Sequence, residues 1–574
     1  MPSMELQPSL DQEAGMSRSR GKRGGWITFP FIAATLTGLM LAGWGWLTNL
    51  IVYLIEEFNV KSIDATQITN IVTGGINLLP IISAILADSF LGSFSVVAIS
   101  SCFSLLGVVL LTLTASISSL RPPPCETASS LCQAPSRVQF SVLYAAIALA
   151  SIGLGAMRFT LATMGANQFD TPQYQGVFFN WFFFILYGAC VVSTIGIVYV
   201  EDSISWGLGF GLCSASSFVG LAIFLLGTRF YRHNKPQGSP YTGLARVLVS
   251  AIRKRNITLS SKTEDYYHGI DGTNMILAAT PSQSLRLLNR ANLKTEGDIQ
   301  SNGSIAKPWR LCTVQEVENL KALVRIFPLW SSTIFLITPI AIQGNMIVLQ
   351  ALAMDRHLGS SYKVPAGTVV VVVLISTCIS LVIFDRFLLP TWQKLTNQAL
   401  TPLQRIGIGH VFNVLSMAIS ALVESRRLKI AHSKHLQQQP GAIVPMSVLW
   451  LFPQLVIVGI GETFHFPGQV DLYYQEFPVA LRSTATAMIS VVIGTAYYVS
   501  TALVGLIRNV TGWLPDNTNE GRLDNLYWTL VVLGSLNFGY YLLCSSLYRY
   551  RNVENKVDNS VRGATGETQT EQEA

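Results

Sequence analysis

Two ionised side chains of opposite sign stand inside otherwise apolar stretches of this chain. Arg158 is the sole charge in VQFSVLYAAIALASIGLGAMRFTLATM, residues 138–164, and Glu462 is the deep charge in IVPMSVLWLFPQLVIVGIGETFHF, residues 443–466. A charge in hydrocarbon costs at least a few kcal/mol, so such residues face a bundle interior or a watery cavity and take a partner. Arg158 lies twelve residues before Asp170 and Glu462 fourteen before Glu476. At about 1.5 Å rise per residue, these offsets place both charges at similar heights in their helices. They are expected to meet, either as a pair that breaks when two parts of the molecule move or as a static structural pair. The remaining alternative is two unrelated charges, each facing water. Arg stays protonated and offers a planar fork of donors, which suits a planar oxyanion. Further candidate ligands for such an anion are Tyr187, Gln343 and His465, with Thr463 as a weaker contact. His465 sits three residues after Glu462 on an adjacent part of the same helical face. It is either a proton carrier, since imidazole titrates near neutrality, or a structural hydrogen-bonder.

The elements that must hold these residues are membrane helices. Half of the 574 residues are hydrophobic, only 12% are charged, and the mean hydropathy is +0.42, far from an ordinary soluble domain. Windows of about 20 apolar residues, the length that crosses about 30 Å of hydrocarbon, predict twelve spans. Six run approximately over 29–55, 68–87, 96–117, 138–164, 178–200 and 206–227. The other six cover 326–352, 368–384, 406–423, 443–466, 485–507 and 526–547. Pro328 and Pro339 interrupt the seventh, where Pro implies a kink and not an end. The expected organisation is a basic tail (1–26), a six-helix bundle (27–228), a linker (229–322), a second six-helix bundle (323–548) and a C-terminal tail (549–574).

Residues 229–310 hold thirteen Lys or Arg against five Asp or Glu and no membrane-length apolar run. An even number of spans puts both termini on one side. Arg18, Arg20, Lys22 and Arg23 before the first span assign that side to the cytoplasm. Arg426, Arg427, Lys429 and Lys434 oppose that assignment, whereas Arg549, Arg551 and Lys556 support it. The first apolar run is too long for a cleavable signal h-region. The linker charge reads as a solvated inside-facing face, with a membrane-surface or partner-binding role as the alternative.

Cys125 and Cys132 flank a Pro-rich connection on the predicted outer side, where either a disulfide or two free thiols is expected. Asn509-Val510-Thr511 is an outward-facing glycosylation sequon close to a span. No Cys/His cluster has metal-ligand spacing, and neither a Gly-x-Ser-x-Gly elbow nor a phosphate-binding Gly-Lys-Ser/Thr loop occurs. The expectation is a non-enzyme without cofactor or metal, embedded in a lipid bilayer and not bound to nucleic acid.

Six plus six spans around a long cytoplasmic linker resemble the major facilitator organisation of two related bundles, an all-α membrane fold. Span four then corresponds to span ten, which pairs the Arg158 helix with the Glu462 helix. The segments LADSFLGSF (86–94), MGANQFD (164–170), FFNWFFF (178–184), FDRFLLP (384–390) and GETFHFPGQVDLYYQEFP (461–478) resemble the plant nitrate and peptide transporter family of proton-dependent oligopeptide transporters. GGWITFPF, LTLTASISSLRPPPCETASSLCQ and VYVEDSISWGLGFGL are similar to the nitrate excretion transporter branch. The resemblance implies nitrate or another small anion as cargo and the plasma membrane as location.

Departures from the family pattern sharpen that expectation. The usual acidic Glu-x-x-Glu-Arg/Lys signature of span one is replaced by Leu36, Thr37, Gly38, Leu39 and Met40. The usual proton-loading carboxylates are therefore absent, since Leu and Met cannot titrate. The span-four Lys common in the family is Arg158 here, while the span-ten Glu is kept as Glu462. The nitrate-binding His of some members aligns near Ile340. Ser93 stands where the family has a basic residue after Leu91-Gly92, leaving Asp88, Asp170 and Asp385 with Arg386 as gating contacts. Efflux of a monovalent anion needs no proton, because an inside-negative potential contributes about 2.3 kcal/mol per 100 mV. A proton-coupled symporter of nitrate, peptides or larger organic anions, and a non-transporting sensor or scaffold, are the alternative functions.

Overall fold

The computed structural model describes residues 24–123, 133–233, 240–260, 262–269, 281–282, 284–300, 303–359, 362–398, 400–439, 441–476 and 482–548. Cys125 and Cys132 lie outside the described residues. Twelve helices are long and apolar enough to span a membrane: Gly25–Thr48, Ser62–Leu91, Ser93–Ser116, Arg137–Ala166, Val177–Ser203, Trp206–Arg229, Val314–Leu352, Gly367–Thr396, Pro402–Ser433, Val448–Tyr473, Met488–Val510 and Leu523–Leu547. The expected all-α architecture is observed. Packing within each half follows one plan: spans one and six, two and four, three and four, and three and six pack together, and the same pairs recur with six added to each number.

The helices outrun the apolar windows because polar residues extend them beyond the hydrocarbon-length core. Span seven begins at Val314, twelve residues before its apolar window, where the Thr313 side chain and Glu316 form a reciprocal capping box. It also continues through both Pro328 and Pro339. Between them, Asn537 donates to the Ser332 carbonyl at 2.9 Å and Asn413 to the Leu336 carbonyl at 2.8 Å. Neighbouring helices thus bond backbone carbonyls of span seven in the stretch between its two prolines. Small residues set the closest approaches. A Cβ on Gly153 would lie 2.3 Å from the Ser104 backbone nitrogen, and one on Gly155 would lie 2.6 Å from the Ile76 carbonyl.

Span nine extends to Ser433, placing the discordant Arg427 inside a helix. Arg427 and Glu424 are both wholly buried and bond at 2.8 Å and 2.7 Å. Arg427 also donates to Asn519 and the Thr518 carbonyl, while Glu424 accepts from Gln350 at 2.6 Å. Arg426 stacks over Trp450 at 4.1 Å. The basic cluster that opposed the predicted orientation therefore contains one charge that is internally neutralised.

The linker is not uniformly solvated. Helix Pro240–Arg253 packs through Val247 against Ala291, Cys312, Val317 and Leu320, at the start of span seven. Lys254 and Asp298, nearly inaccessible to solvent, pair at 2.8 Å, with Arg310 at 3.3 Å from the same carboxylate. Lys254 also donates to the Leu293 carbonyl at 2.6 Å.

Two predictions follow from these buried charges. Arg427→Met leaves Glu424 buried without its cation and lowers stability by about 3–5 kcal/mol; adding Glu424→Gln recovers part of that loss in detergent unfolding curves. In the linker, burial pushes the Asp298 carboxyl up, but bonds from Lys254 and Thr295 and the charges of Lys254 and Arg310 hold it below its ordinary value. A depressed carboxyl contributes stability above its unfolded value, about 3.9, and loses it as pH falls through the lower folded value. The linker therefore stays docked down to about pH 4 and opens below it, read as pepsin cleavage within residues 240–260.

Candidate functional site

The site lies where the two halves face one another. Span two packs on span eleven, span five on span eight, and span two also meets span seven. At the end opposite the linker the seam is bonded shut. Arg508 pairs with Asp64, Lys61 with Asp516 at 3.2 Å, and Arg356 with Asp202 at 3.8 Å. Asn345 donates to Asn70 at 2.7 Å, Thr368 to the Thr194 carbonyl at 3.0 Å, and Tyr199 stacks on Tyr362. Gly74 and Gly494 let spans two and eleven touch: a Cβ on Gly494 would lie 2.9 Å from the Gly74 carbonyl.

Deeper along the seam, Arg158 and Glu462 are both half-buried. Thr377 of span eight approaches Glu462 at 3.4 Å, and the Arg158 guanidinium lies 5.5 Å from the Phe159 ring centre. The two charges are not within the 4.0 Å of an ion pair. Both nonetheless reach the Tyr187 hydroxyl electrostatically; Arg158 also acts on Cys190, and Glu462 on Tyr497. Tyr187 keeps 42% of its surface accessible. Spans four, five, eight, ten and eleven thus contribute Arg158, Tyr187, Thr377, Glu462 and Tyr497 to one polar neighbourhood. Thr377 and Tyr497 escaped sequence reading because each is a single neutral residue in an apolar helix. Only the folded packing distinguishes them from other threonines and tyrosines.

The other two proposed ligands go elsewhere. Gln343 is buried and donates to Ser416 at 2.9 Å and Ser420 at 2.7 Å, which ties span seven to span nine within the second half. His465 is 1% exposed, and Gly409 of span nine packs so closely that a Cβ there would lie 2.5 Å from His465 Cβ. Its Nε2 has no hydrogen-bond partner among the described residues. Both face span nine, so spacing along one helix face did not bring His465 to Arg158. Leu36, Leu39 and Met40 are buried in the first-half core. Asn509 is exposed in the last turn of span eleven.

The ends nearer the linker carry a repeated feature. Ala87–Leu91 and Phe384–Leu388 are π-helical turns at corresponding places in spans two and eight, the wide turn that often marks functional positions. They contain Asp88, Asp385 and Arg386. Asp170 pairs with Arg232, clamping the end of span four to the start of the linker.

Two bundles of six helices, repeating one packing plan around a charged seam, define a secondary membrane transporter of the major facilitator type. The chain matches the POT family over residues 94–519 and belongs to it. It is 57% identical to Protein NRT1/ PTR FAMILY 2.7 of Arabidopsis thaliana over 538 residues, 94% of this chain and 95% of that protein. It is 53% identical to Protein NRT1/ PTR FAMILY 2.3 of the same plant, over 95% of this chain and 97% of that protein. Among solved structures it is similar to an auto-inhibited POT family peptide transporter, with a TM-score of 0.66 at 16% identity, covering 91% of this chain and 97% of that one.

The geometry separates structural from cavity-lining polar residues. Gln343→Leu loses two buried hydrogen bonds, about 1 kcal/mol each, and lowers the melting temperature without altering the half-saturating solute concentration. Tyr187→Phe is expected to do the reverse, changing half-saturation in uptake assays while melting unchanged.

Proposed function

We propose that the protein is a plasma-membrane carrier that releases nitrate, and chloride as a second anion, by alternating access. The linker and both termini face the cytoplasm in this reading, and the bonded seam faces outside. The supporting observation is Arg158: a permanent cation, half-buried between the halves, with no ionic partner within 4.0 Å among the described residues. A lone guanidinium in a membrane protein calls for an anion, and its planar fork of donors matches a planar oxyanion. Tyr187 supplies a neutral hydroxyl beside it.

Glu462 gives the cycle its gate. When the halves rock and the linker end closes, Glu462 approaches Arg158 and competes with the bound anion, which favours release. In the arrangement described here the pair is apart, leaving Arg158 open to cargo. The first span carries Leu36, Leu39 and Met40 in place of the family's carboxylates, so no proton-loading step there precedes anion binding. An inside-negative potential alone drives export: about 2.3 kcal/mol per 100 mV, and about 1.4 kcal/mol per tenfold, correspond to a roughly fiftyfold gradient.

In proteoliposomes under imposed voltage, nitrate flux is expected to reverse at the nitrate equilibrium potential, independently of the pH gradient. A reversal potential that moves with the pH gradient would instead indicate proton symport. Arg158→Gln is expected to reduce nitrate flux at least about a hundredfold, which corresponds to about 2.7 kcal/mol. Arg158→Lys keeps the charge, loses the fork, and should retain partial flux. Wild-type transport by Arg158→Gln would remove the basis of this reading.

A further inference from the structure

Glu201 is a buried carboxyl that the anion cycle does not use. It lies near the sealed end of span five, is 1% exposed, and accepts one hydrogen bond, from Asn49 Nδ2 to Oε2 at 3.1 Å. Its other oxygen, Oε1, has no partner among the described residues, and neither does Asn49 Oδ1. Both side chains are inaccessible, and Gly209 of span six packs so tightly that a Cβ there would lie 2.2 Å from Glu201 Cγ. Two orphan acceptors on side chains already joined by one hydrogen bond need a single donor. A proton on Glu201 supplies it: O–H donates to Asn49 Oδ1 while Asn49 Nδ2 donates to the other carboxyl oxygen. The acid–amide pair then satisfies both orphan acceptors that the anion would leave bare, in a buried site where unpaired polar atoms are costly.

This pair sits under the seam. Gly367, the first residue of span eight in the second half, presses on Asn49 so closely that a Cβ would come within 2.8 Å of Oδ1. Beside it, Thr368 donates across the halves to the Thr194 carbonyl at 3.0 Å. The surrounding groups do not offer Glu201 a counter-charge. Its own helix contributes Asp202, a like charge already paired with Arg356 of the second half at 3.8 Å. The short helix Leu50–Glu56 contributes Tyr53, whose hydroxyl bonds Thr114 at 2.9 Å, and Glu56, which feels Asp202 and Arg356. Span six contributes the Cys213 thiol.

We propose that Glu201 is a proton-binding site that locks the end of the seam opposite the linker: the protonated Glu201–Asn49 pair forms when Gly367 covers it, and opening of the seam admits water and releases the proton. A ligand that binds one of two conformations more tightly shifts the population toward it. Acid therefore favours the closed seam, and one proton changes the closed-to-open ratio by at most about tenfold per pH unit. Such a proton sets how often the seam opens without contributing to the driving force. It is thus separate from the nitrate reading and from the missing span-one carboxylates.

The test is a distance measurement that uses no transported solute. Spin labels are placed on cysteines at Ser119 and Glu520, exposed positions of the two halves at the sealed end, in the full chain in lipid nanodiscs with the other cysteines replaced. Between pH 5 and pH 8 the long-distance population of the wild-type background is expected to grow severalfold. Glu201→Gln, whose amide pairs with Asn49 as the protonated acid does, should hold the short distance at every pH. Glu201→Asp, still titratable, should keep a pH response. An unchanged pH response in Glu201→Gln, or none in the parent, overturns the proposal. So does a Glu201→Gln chain that fails to fold while Glu201→Asp folds, since that would show the site requires the anion.

Discussion

Every polar group in the hydrocarbon region must find a partner inside the protein, and that constraint organises this structure. Glu424 and Arg427 answer it fully: two charges neutralise each other and the remaining donors and acceptors are met by Gln350, Asn519 and the Thr518 carbonyl. Asparagines from spans nine and twelve bond carbonyls of span seven between its two prolines. Once these groups are satisfied, the internal packing of each half has little reason to change.

The seam between the halves follows a different rule. Most of its bonds are single hydrogen bonds and part-exposed ion pairs, such as Asn345 with Asn70 and Lys61 with Asp516, with Arg356 and Asp202 the more buried pair. Such contacts contribute about 1 kcal/mol or less each, so they can be exchanged without dismantling a core. Arg158 and Glu462, each without an ionic partner across the seam, are among the groups left incompletely satisfied, as are the Glu201, Asn49 and His465 atoms described above. Unsatisfied charge at a movable interface is costly in one conformation and useful to a transporter that has two.

The twelve spans and their division into two sixes were legible in the sequence because hydropathy over about 20 residues is a strong one-dimensional signal. The motif segments also identified the family to which the chain belongs. Helix ends were less legible: span seven starts at Val314 and span nine runs to Ser433, where amphipathic turns continue a helix beyond its apolar window. Two of the four candidate anion ligands, Arg158 and Tyr187, came together. Gln343 and His465 instead face span nine, because a membrane helix is apolar on all sides and its sequence carries little record of which face meets the cavity.

Composition and hydropathy alone determined that this chain is a membrane protein of twelve spans, with one charge of each sign inside otherwise apolar stretches. Tertiary structure decided what those charges meet. It brought Thr377 to Glu462, set Tyr187 within reach of both charges, folded part of a linker that composition read as solvated, and placed Asn49, the partner of Glu201, beneath Gly367. The physical reason is that hydrophobicity is a property each residue carries along the chain. A hydrogen bond or an orphaned oxygen exists only when residues some 150 positions apart, as Asn49 and Glu201 are, pack to within about 3 Å.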